Sequence, residues 1–162
     1  MNKDLIFKNA IGAALIYIIL KVVTLAIGIE MQYPIDWVIF AIIVGLFIFF
    51  GKLYSQSIND ESNMGDILLH GFVTSLVYIF FISIFTVIYV KYIDVNYYQK
   101  IFDMAEKELQ NYSMEPEKME AMKELSKKYM TIPYLLLSTF LSNIILCNIG
   151  NFIGAVIFRN KN

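Results

Sequence analysis

Four long apolar runs, separated by polar segments, dominate the pattern of the chain. They cover Asn9–Ile29, Ile35–Leu53, Ile67–Ile93 and Ile132–Phe158. Each run has close to the ~20 residues that a helix needs to cross the ~30 Å hydrocarbon layer of a bilayer. No run alternates apolar and polar residues with period two, as the strands of a membrane barrel do. The pattern therefore predicts an all-α integral membrane protein with four transmembrane helices.

An insert of about residues 94–131, polar and charged, separates the third and fourth runs. Apolar residues nevertheless recur in it at helical spacing, first Tyr98, Ile101, Phe102, Ala105, Leu109 and Tyr112, then Met119, Met122, Leu125 and Tyr129. We predict that the third helix continues unbroken out of the membrane and turns near Ser113 and Pro116. It then returns as an antiparallel arm that re-enters at Ile132 and Pro133. The alternative arrangement has both arms lying flat on the membrane surface.

Composition supports the membrane assignment. Residues of the AVILMFWYC set make up 58% of the chain, only 17% are charged, and the mean hydropathy is +0.61. A soluble domain of 162 residues has too small a core to bury so much apolar surface, so lipid must cover part of it. The chain is therefore predicted to be a single membrane domain over residues 1–162. Its net charge of −1 gives no general attraction for nucleic acid.

The number of basic residues on each side of the membrane does not by itself decide how the spans are oriented. The side that holds the termini carries five of them, namely Lys3, Lys8, Lys52, Arg159 and Lys161. The side that holds the insert carries seven, namely Lys91, Lys100, Lys107, Lys118, Lys123, Lys127 and Lys128. We still favour cytoplasmic termini, because the first helix usually dominates orientation and is preceded by two lysines. The hairpin is then expected on the outer side of the membrane.

Lys21 is the one charged residue well inside a predicted span, where lysine costs about 2.5–3.5 kcal/mol. It either extends to the outer interface or bonds a polar group of a neighbouring helix, or it contacts an anion or lipid phosphate in a cavity. The fourth span supplies the other candidates for an intramembrane polar site, which are Asn143, Asn148 and Asn151. Gly150 and Gly154 form a small-xxx-small pattern, which favours close packing against a helix of this chain or of a second copy.

No group of residues in the sequence indicates catalysis. His70 is the only histidine and Cys147 the only cysteine, and their positions on different predicted helices exclude a metal site of familiar spacing. We interpret His70 as a residue of the membrane–water interface. No phosphate-binding loop or nucleophile elbow occurs. The chain is therefore expected not to be an enzyme and to need no cofactor.

Several features of the chain resemble a known family. They are two spans with a short link, the stretch MGDILLHGF at the start of the third span, the long amphipathic insert, and an ending in IGAVIFRNK. This order, with Gly65 and Gly71, resembles the bacterial membrane family called domain of unknown function 4199. The resemblance implies four spans and cytoplasmic termini, and with it the expected location is the bacterial inner membrane. It carries no functional residue over, since the family has no established activity.

Two functions are compatible with these features. The first is a membrane-embedded, non-enzymatic accessory or scaffold subunit that presents the hairpin, with its Met and Tyr residues, to a protein partner. The second is an oligomeric transporter or channel for a small solute or lipid, which would use Lys21 and the polar face of the fourth span. The expected partners are the lipid bilayer and either another protein or further copies of this chain.

Overall fold

The computed structural model describes residues 2–29, 33–58, 63–111, 120–121, 124–125 and 128–159. Within them the chain forms the α-helices α1 (Lys3–Ala26), α2 (Tyr33–Ser57), α3 (Met64–Ile88), α4 (Tyr97–Asn111) and α5 (Ile132–Phe158), and a π-helical turn, Tyr89–Ile93, follows α3 directly. In this part of the chain, α1, α2, α5 and the helix made by α3 with its π turn are long and apolar enough to cross a membrane. The predicted all-α class and the four apolar spans are confirmed at this level.

Two helices begin before the predicted apolar runs, each next to a capping side chain. The Oδ1 atom of Asn2 accepts a hydrogen bond from the Leu5 backbone N–H at 3.1 Å, so α1 begins earlier than the predicted Asn9. The Oδ1 atom of Asn63 accepts one from the Asp66 backbone N–H at 2.9 Å at the start of α3. Each cap satisfies a backbone donor that a helix start leaves unbonded.

A glycine ends α1 after Ala26. Gly28 adopts φ 71°, a left-handed conformation that costs glycine little. Its N–H bonds to the Leu25 carbonyl oxygen, and the Ile29 N–H bonds to the Thr24 carbonyl oxygen, both at 3.0 Å. This pair of bonds is a Schellman motif, which closes the end of the helix.

The chain divides into two units, Met1–Ser83 with Phe140–Asn162, and Ile84–Thr139. Two clusters of buried apolar side chains form the interior of the first unit. The larger, here called the central cluster, comprises Ala10, Ala13, Ala14, Ile39, Ile43, Phe47, Phe50, Tyr78, Ile79, Ile82 and Cys147. The smaller, the terminal cluster, comprises Tyr54, Ile67 and Ala155, with Leu5, Ile58, Met64, Leu68 and Phe158 packed against them.

Within the first unit, α5 packs closely on α2 through its two glycines. A Cβ atom added to Gly150 would lie 2.6 Å from the Val44 carbonyl oxygen and 2.9 Å from the Cβ atom of Phe47. One added to Gly154 would lie 3.0 Å from the Ile48 carbonyl oxygen. Since any larger residue would force the two backbones apart, the glycines allow this approach. The helix that meets this small-residue pattern belongs to the same chain.

Large apolar side chains cover the outside of the four long helices. Leu15, Phe49, Phe80 and Ile145, one from each helix, are between 48% and 61% exposed. Hydrating such a surface costs ~25 cal/mol per Å² relative to an apolar environment, and lipid tails provide that environment. The exposed surface is thus the one expected of helices surrounded by lipid.

The third long helix ends at Ile93, which corrects the prediction of an unbroken helix running into the insert. Asp94 leaves the helix with φ −117° and ψ 76°, and its N–H bonds to the Tyr89 carbonyl oxygen at 2.8 Å, which closes the π turn. The buried Asp94 carboxylate accepts a hydrogen bond from Lys100 Nζ at 3.0 Å, across the break. This ion pair fixes the start of α4 beside the end of the π turn.

The return from the insert to the last span is also interrupted. Lys128 and Tyr129 are helical, Met130 and Thr131 are not, and α5 starts at Ile132. Proline at the second position of α5 suits this place, because the first-turn N–H groups of a helix have no intrahelical partner. The predicted re-entry is confirmed as a helix start, whereas the predicted turn near residues 113–116 lies outside the described residues.

Candidate functional site

Lys21, the charged residue of the first span, is paired with a carboxylate of the first unit. Its Nζ atom lies 3.1 Å from Asp36 Oδ1, in the first turn of α2. The two side chains are 24% and 43% exposed, so the pair lies at the edge of the helices rather than among them. This is the geometry of a bond to a neighbouring helix, one of the interpretations made from the sequence. The sequence did not indicate Asp36 as the partner.

The three candidate asparagines of α5 have different surroundings. Asn143 is buried, and its Oδ1 atom accepts a hydrogen bond from the Tyr78 hydroxyl at 3.3 Å. Asn148 is half-buried, and its Nδ2 atom donates to a backbone carbonyl one turn earlier in α5, at 2.7 Å. Asn151 is buried against Gly71, where an added methyl group would overlap the carboxamide. Each asparagine therefore has its own bonding environment.

Lys21 and Asn151 lie at different levels of the first unit. Leu5 of α1 packs against the terminal cluster, which also contains Ala155 of α5. Lys21 follows Leu5 by sixteen residues of helix, about 24 Å at a rise of ~1.5 Å per residue. Asn151 precedes Ala155 by a single turn. The structure therefore does not bring the lysine and this asparagine into one polar site.

Three buried polar side chains lie at one level of the first unit and form what we call the polar layer. They are Asn9 on α1, His70 on α3 and Asn151 on α5, with exposures of 5%, 1% and 2%. On each helix the polar residue lies between residues of the terminal cluster and residues of the central cluster, and the order along the chain is reversed in α5. The layer is thus enclosed by apolar packing on both sides.

Each member of the polar layer has a nitrogen atom without a hydrogen-bond partner among the described residues. These atoms are Asn9 Nδ2, His70 Nε2 and Asn151 Nδ2. An unsatisfied buried donor costs about 1–3 kcal/mol, and lipid offers it no alternative partner. Three such atoms at one level therefore indicate that these side chains do more than pack the helices together.

The imidazole of His70 stacks on the ring of Tyr54 from α2. The ring centroids are 4.1 Å apart and the planes differ by 26°. The ring is 1% exposed, so it faces the interior of the helices. The position of His70 at the level of the membrane–water interface stays a prediction. Within the described residues there is no group of three or more His, Cys, Asp or Glu side chains that could hold a metal ion.

Sequence reasoning singled out Asn151 but missed Asn9. The signal for Asn9 was available, because Ile6, Asn9, Ala10, Ala13 and Ala14 recur at three and four residues along α1 and are all buried. Small residues on such a stripe indicate close helix contacts. Asn9 was overlooked since it stood at the predicted edge of the first span, where polar residues are ordinary.

The second unit contains a groove lined mainly by aromatic and aliphatic side chains, here called the aromatic groove. Its volume is about 430 Å³. It is lined by Tyr97, Tyr98, Ile101, Leu125, Tyr129, Met130, Thr131, Tyr134, Leu135 and Ser138. Tyr98 and Ile101 belong to the first predicted apolar stripe of the insert, and Leu125 and Tyr129 to the second. Residues of the two stripes therefore meet around one groove.

Tyr98, one of the residues that line the groove, has a buried hydroxyl group. This group has no hydrogen-bond partner among the described residues. Burial raises the pKa of Tyr98, so the hydroxyl stays protonated and can donate at neutral pH. Beside it, the Tyr97 ring lies edge-on at a centroid distance of 5.9 Å. The groove is thus lined by apolar side chains and by a tyrosine whose hydroxyl has no hydrogen-bond partner among the described residues.

Four long apolar helices, which bury several polar residues and expose many large apolar ones, define a multi-pass, all-helical membrane protein. More specifically, residues 8–160 match the family described as protein of unknown function, DUF4199, and the chain belongs to that family. The resemblance noted from the sequence is confirmed. No curated protein and no solved structure matches the chain.

Proposed function

We propose that the protein is a membrane-embedded, non-enzymatic accessory or scaffold subunit that binds a protein partner through its 84–139 unit. The observation that carries the proposal is the aromatic groove, whose apolar walls suit an apolar segment of another protein. Buried aromatic residues with a polar tip are the side chains that most often dominate protein interfaces. An amphipathic helix laid in an apolar groove is a recurrent mode of such binding.

Exposure of apolar side chains around the same unit supports the proposal. Tyr92 and Val95 are 77% and 69% exposed, and both lie near the end of the π turn. Under the proposed topology the termini are cytoplasmic and the insert within this unit lies on the outer side of the bacterial inner membrane. The insert then forms a hairpin of about residues 94–131, with the partner bound along its apolar side.

Loss of the groove's aromatic rings tests the proposal. The protein is extracted from its own membrane into lipid nanodiscs and analysed by native mass spectrometry, as wild type and as Tyr98→Ala with Tyr129→Ala. We expect a partner subunit bound to the wild type and its affinity lowered by about tenfold or more in the double variant, as for an aromatic hot spot. The control is Tyr92→Ala, an exposed tyrosine of the same unit outside the groove lining.

Two outcomes contradict the proposal. In one, the wild type retains no other protein in nanodiscs. In the other, the groove variant retains the partner as well as the Tyr92→Ala control does. Photocrosslinking from position 134, which also lines the groove, identifies the segment of the partner that occupies it.

The second candidate function is an oligomeric transporter or channel for a small solute or lipid. Its supporting observation is Asn151, buried at the level of the polar layer with an unpartnered Nδ2 atom. Lys21 supports it less, since Asp36 neutralises the lysine's charge. Unchanged flux of lipid or solute in reconstituted vesicles after both Lys21→Met and Asn151→Leu would remove this candidate.

A further inference from the structure

The polar layer has a chemical character that packing alone does not explain. Asn9 and His70 each lie six residues after the start of their helices, and Asn151 lies seven before the end of its helix. These distances correspond to a depth of about 9–10 Å from the ends of the three helices. The contact of Asn151 with Gly71, next to His70 in sequence, joins α3 and α5 at this level.

The hydrogen-bonding groups of the layer define what it can hold. A carboxamide Nδ2 atom is a donor only, so Asn9 and Asn151 each require an acceptor. His70 Nε2 donates or accepts according to the tautomer, so it can bond to either side of a small polar molecule. A guest that accepts two hydrogen bonds and also bonds to an imidazole nitrogen satisfies all three atoms.

The electrostatics of the site exclude a charged guest. Among the described residues of the first unit, none of the buried side chains carries a formal charge, and Lys8, next to Asn9, is exposed. An anion placed there would lose its hydration without gaining a counter-charge. The guest is therefore small and uncharged.

We propose that the polar layer binds internal water, which accepts hydrogen bonds from Asn9 Nδ2 and Asn151 Nδ2 and bonds to His70 Nε2. Buried water molecules typically bond to groups that otherwise lack partners, and each of these three nitrogen atoms is such a group among the described residues. The bound water forms a hydrated level of the first unit, between the terminal cluster and the central cluster. This inference does not depend on the partner-binding proposal, which concerns the other unit.

The single histidine makes a direct experiment possible. The full-length chain is labelled with ¹⁵N-histidine, reconstituted in lipid bilayers, and studied by solid-state NMR with polarisation transferred from water. Because His70 is the only histidine, its two imidazole nitrogens need no assignment against others. We expect rapid transfer from water to the Nε2 site, although the ring is 1% exposed.

Variants test which groups hold the water. Asn151→Leu and Asn9→Leu are each expected to reduce the transfer by at least about twofold, since the water loses one of roughly three hydrogen bonds. Asn148→Leu is the matched control on α5, because Asn148 bonds to its own helix, and it should leave the transfer unchanged. Absence of transfer in the wild type, or a direct bond from Nε2 to a protein oxygen, overturns the proposal even where a leucine variant fails to fold.

Discussion

At the scale of single residues, the long helices combine buried polar side chains with exposed large apolar side chains. Tyr78, Asn143 and Thr74 are buried, whereas Phe80 and Ile145 on the same helices are exposed. In water this arrangement would be unstable, because burial of polar groups costs free energy and exposure of apolar groups costs more. In a bilayer, lipid covers the exposed apolar side chains, and internal partners replace water for groups such as the Tyr78 hydroxyl and Asn143.

Gly150 gives a prediction at this scale. Substitution Gly150→Ala would place a methyl group 2.6 Å from a backbone oxygen of α2, which cannot move without displacing the helix. We expect a loss of about 1–3 kcal/mol in the free energy of unfolding, as for other overpacked sites. The control is Gly45→Ala, where nothing lies within 4 Å and the better helix propensity of alanine should leave stability equal or slightly higher. Equal effects of the two substitutions, measured by denaturation in detergent, would contradict the close contact.

The Lys21–Asp36 ion pair gives a second prediction at the scale of single residues. Both side chains are partly exposed, so a double-mutant cycle of Lys21→Met and Asp36→Asn should yield a coupling energy of about 0.2–1 kcal/mol. A parallel cycle of Asp36→Asn with Lys52→Met, an exposed lysine toward the other end of α2, should yield none. Coupling of the same size in both cycles would show that the measurement reports a general charge effect instead of this pair.

At the scale of the helices, local signals predicted some boundaries and not others. The start of α5 followed from the apolar run and Pro133, because proline suits a first turn. The break at Asp94 was missed, since the sequence from Tyr89 to Tyr98 contains neither glycine nor proline. What ends the helix there is a π turn together with the Asp94–Lys100 ion pair, and neither has a local sequence signature. Contacts between residues, and not local helix propensity, therefore determine where this helix ends.

The same ion pair predicts a localised change in stability. Asp94→Asn removes a charged, buried acceptor, so the pairing with Lys100 should weaken by about 1–3 kcal/mol. Amide hydrogen exchange of residues 94–100 should become faster by the corresponding factor. Asp103→Asn is the control, because Asp103 accepts its bond from Gln99 on an exposed surface, and it should leave exchange at the break unchanged. Equal protection in both variants would show that the pair does not hold the break.

At the scale of the whole molecule, the fold class was more predictable than the candidate sites. Span number follows from hydrophobicity, which each segment carries in its own sequence. The polar layer depends on which faces of α1, α3 and α5 meet, and a single sequence does not specify this. Asn151 was found because its helix shows a polar stripe of its own. Asn9 lies on a stripe of small residues that the sequence of α1 shows, but its place beside His70 and Asn151, like the pairing of Asp36 with Lys21, depends on residues of other helices.

Orientation in the membrane is the prediction that belongs to this scale. In a Cys147→Ala background, Lys3→Cys and Lys107→Cys each introduce one cysteine at an exposed position. With cytoplasmic termini, a membrane-impermeant maleimide added to spheroplasts should label position 107 and leave position 3 unlabelled until the membrane is opened. Labelling of position 3 alone would reverse the proposed topology.

The occupied glycine face of α5 has a consequence for stoichiometry. Small-xxx-small motifs commonly join identical transmembrane helices into dimers. Here Gly150 and Gly154 already contact α2 of their own chain. A second subunit could therefore contact them only by displacing α2. Any homomeric assembly must therefore be built from the lipid-facing aliphatic surface or from the 84–139 unit, and the motif itself does not encode a copy number.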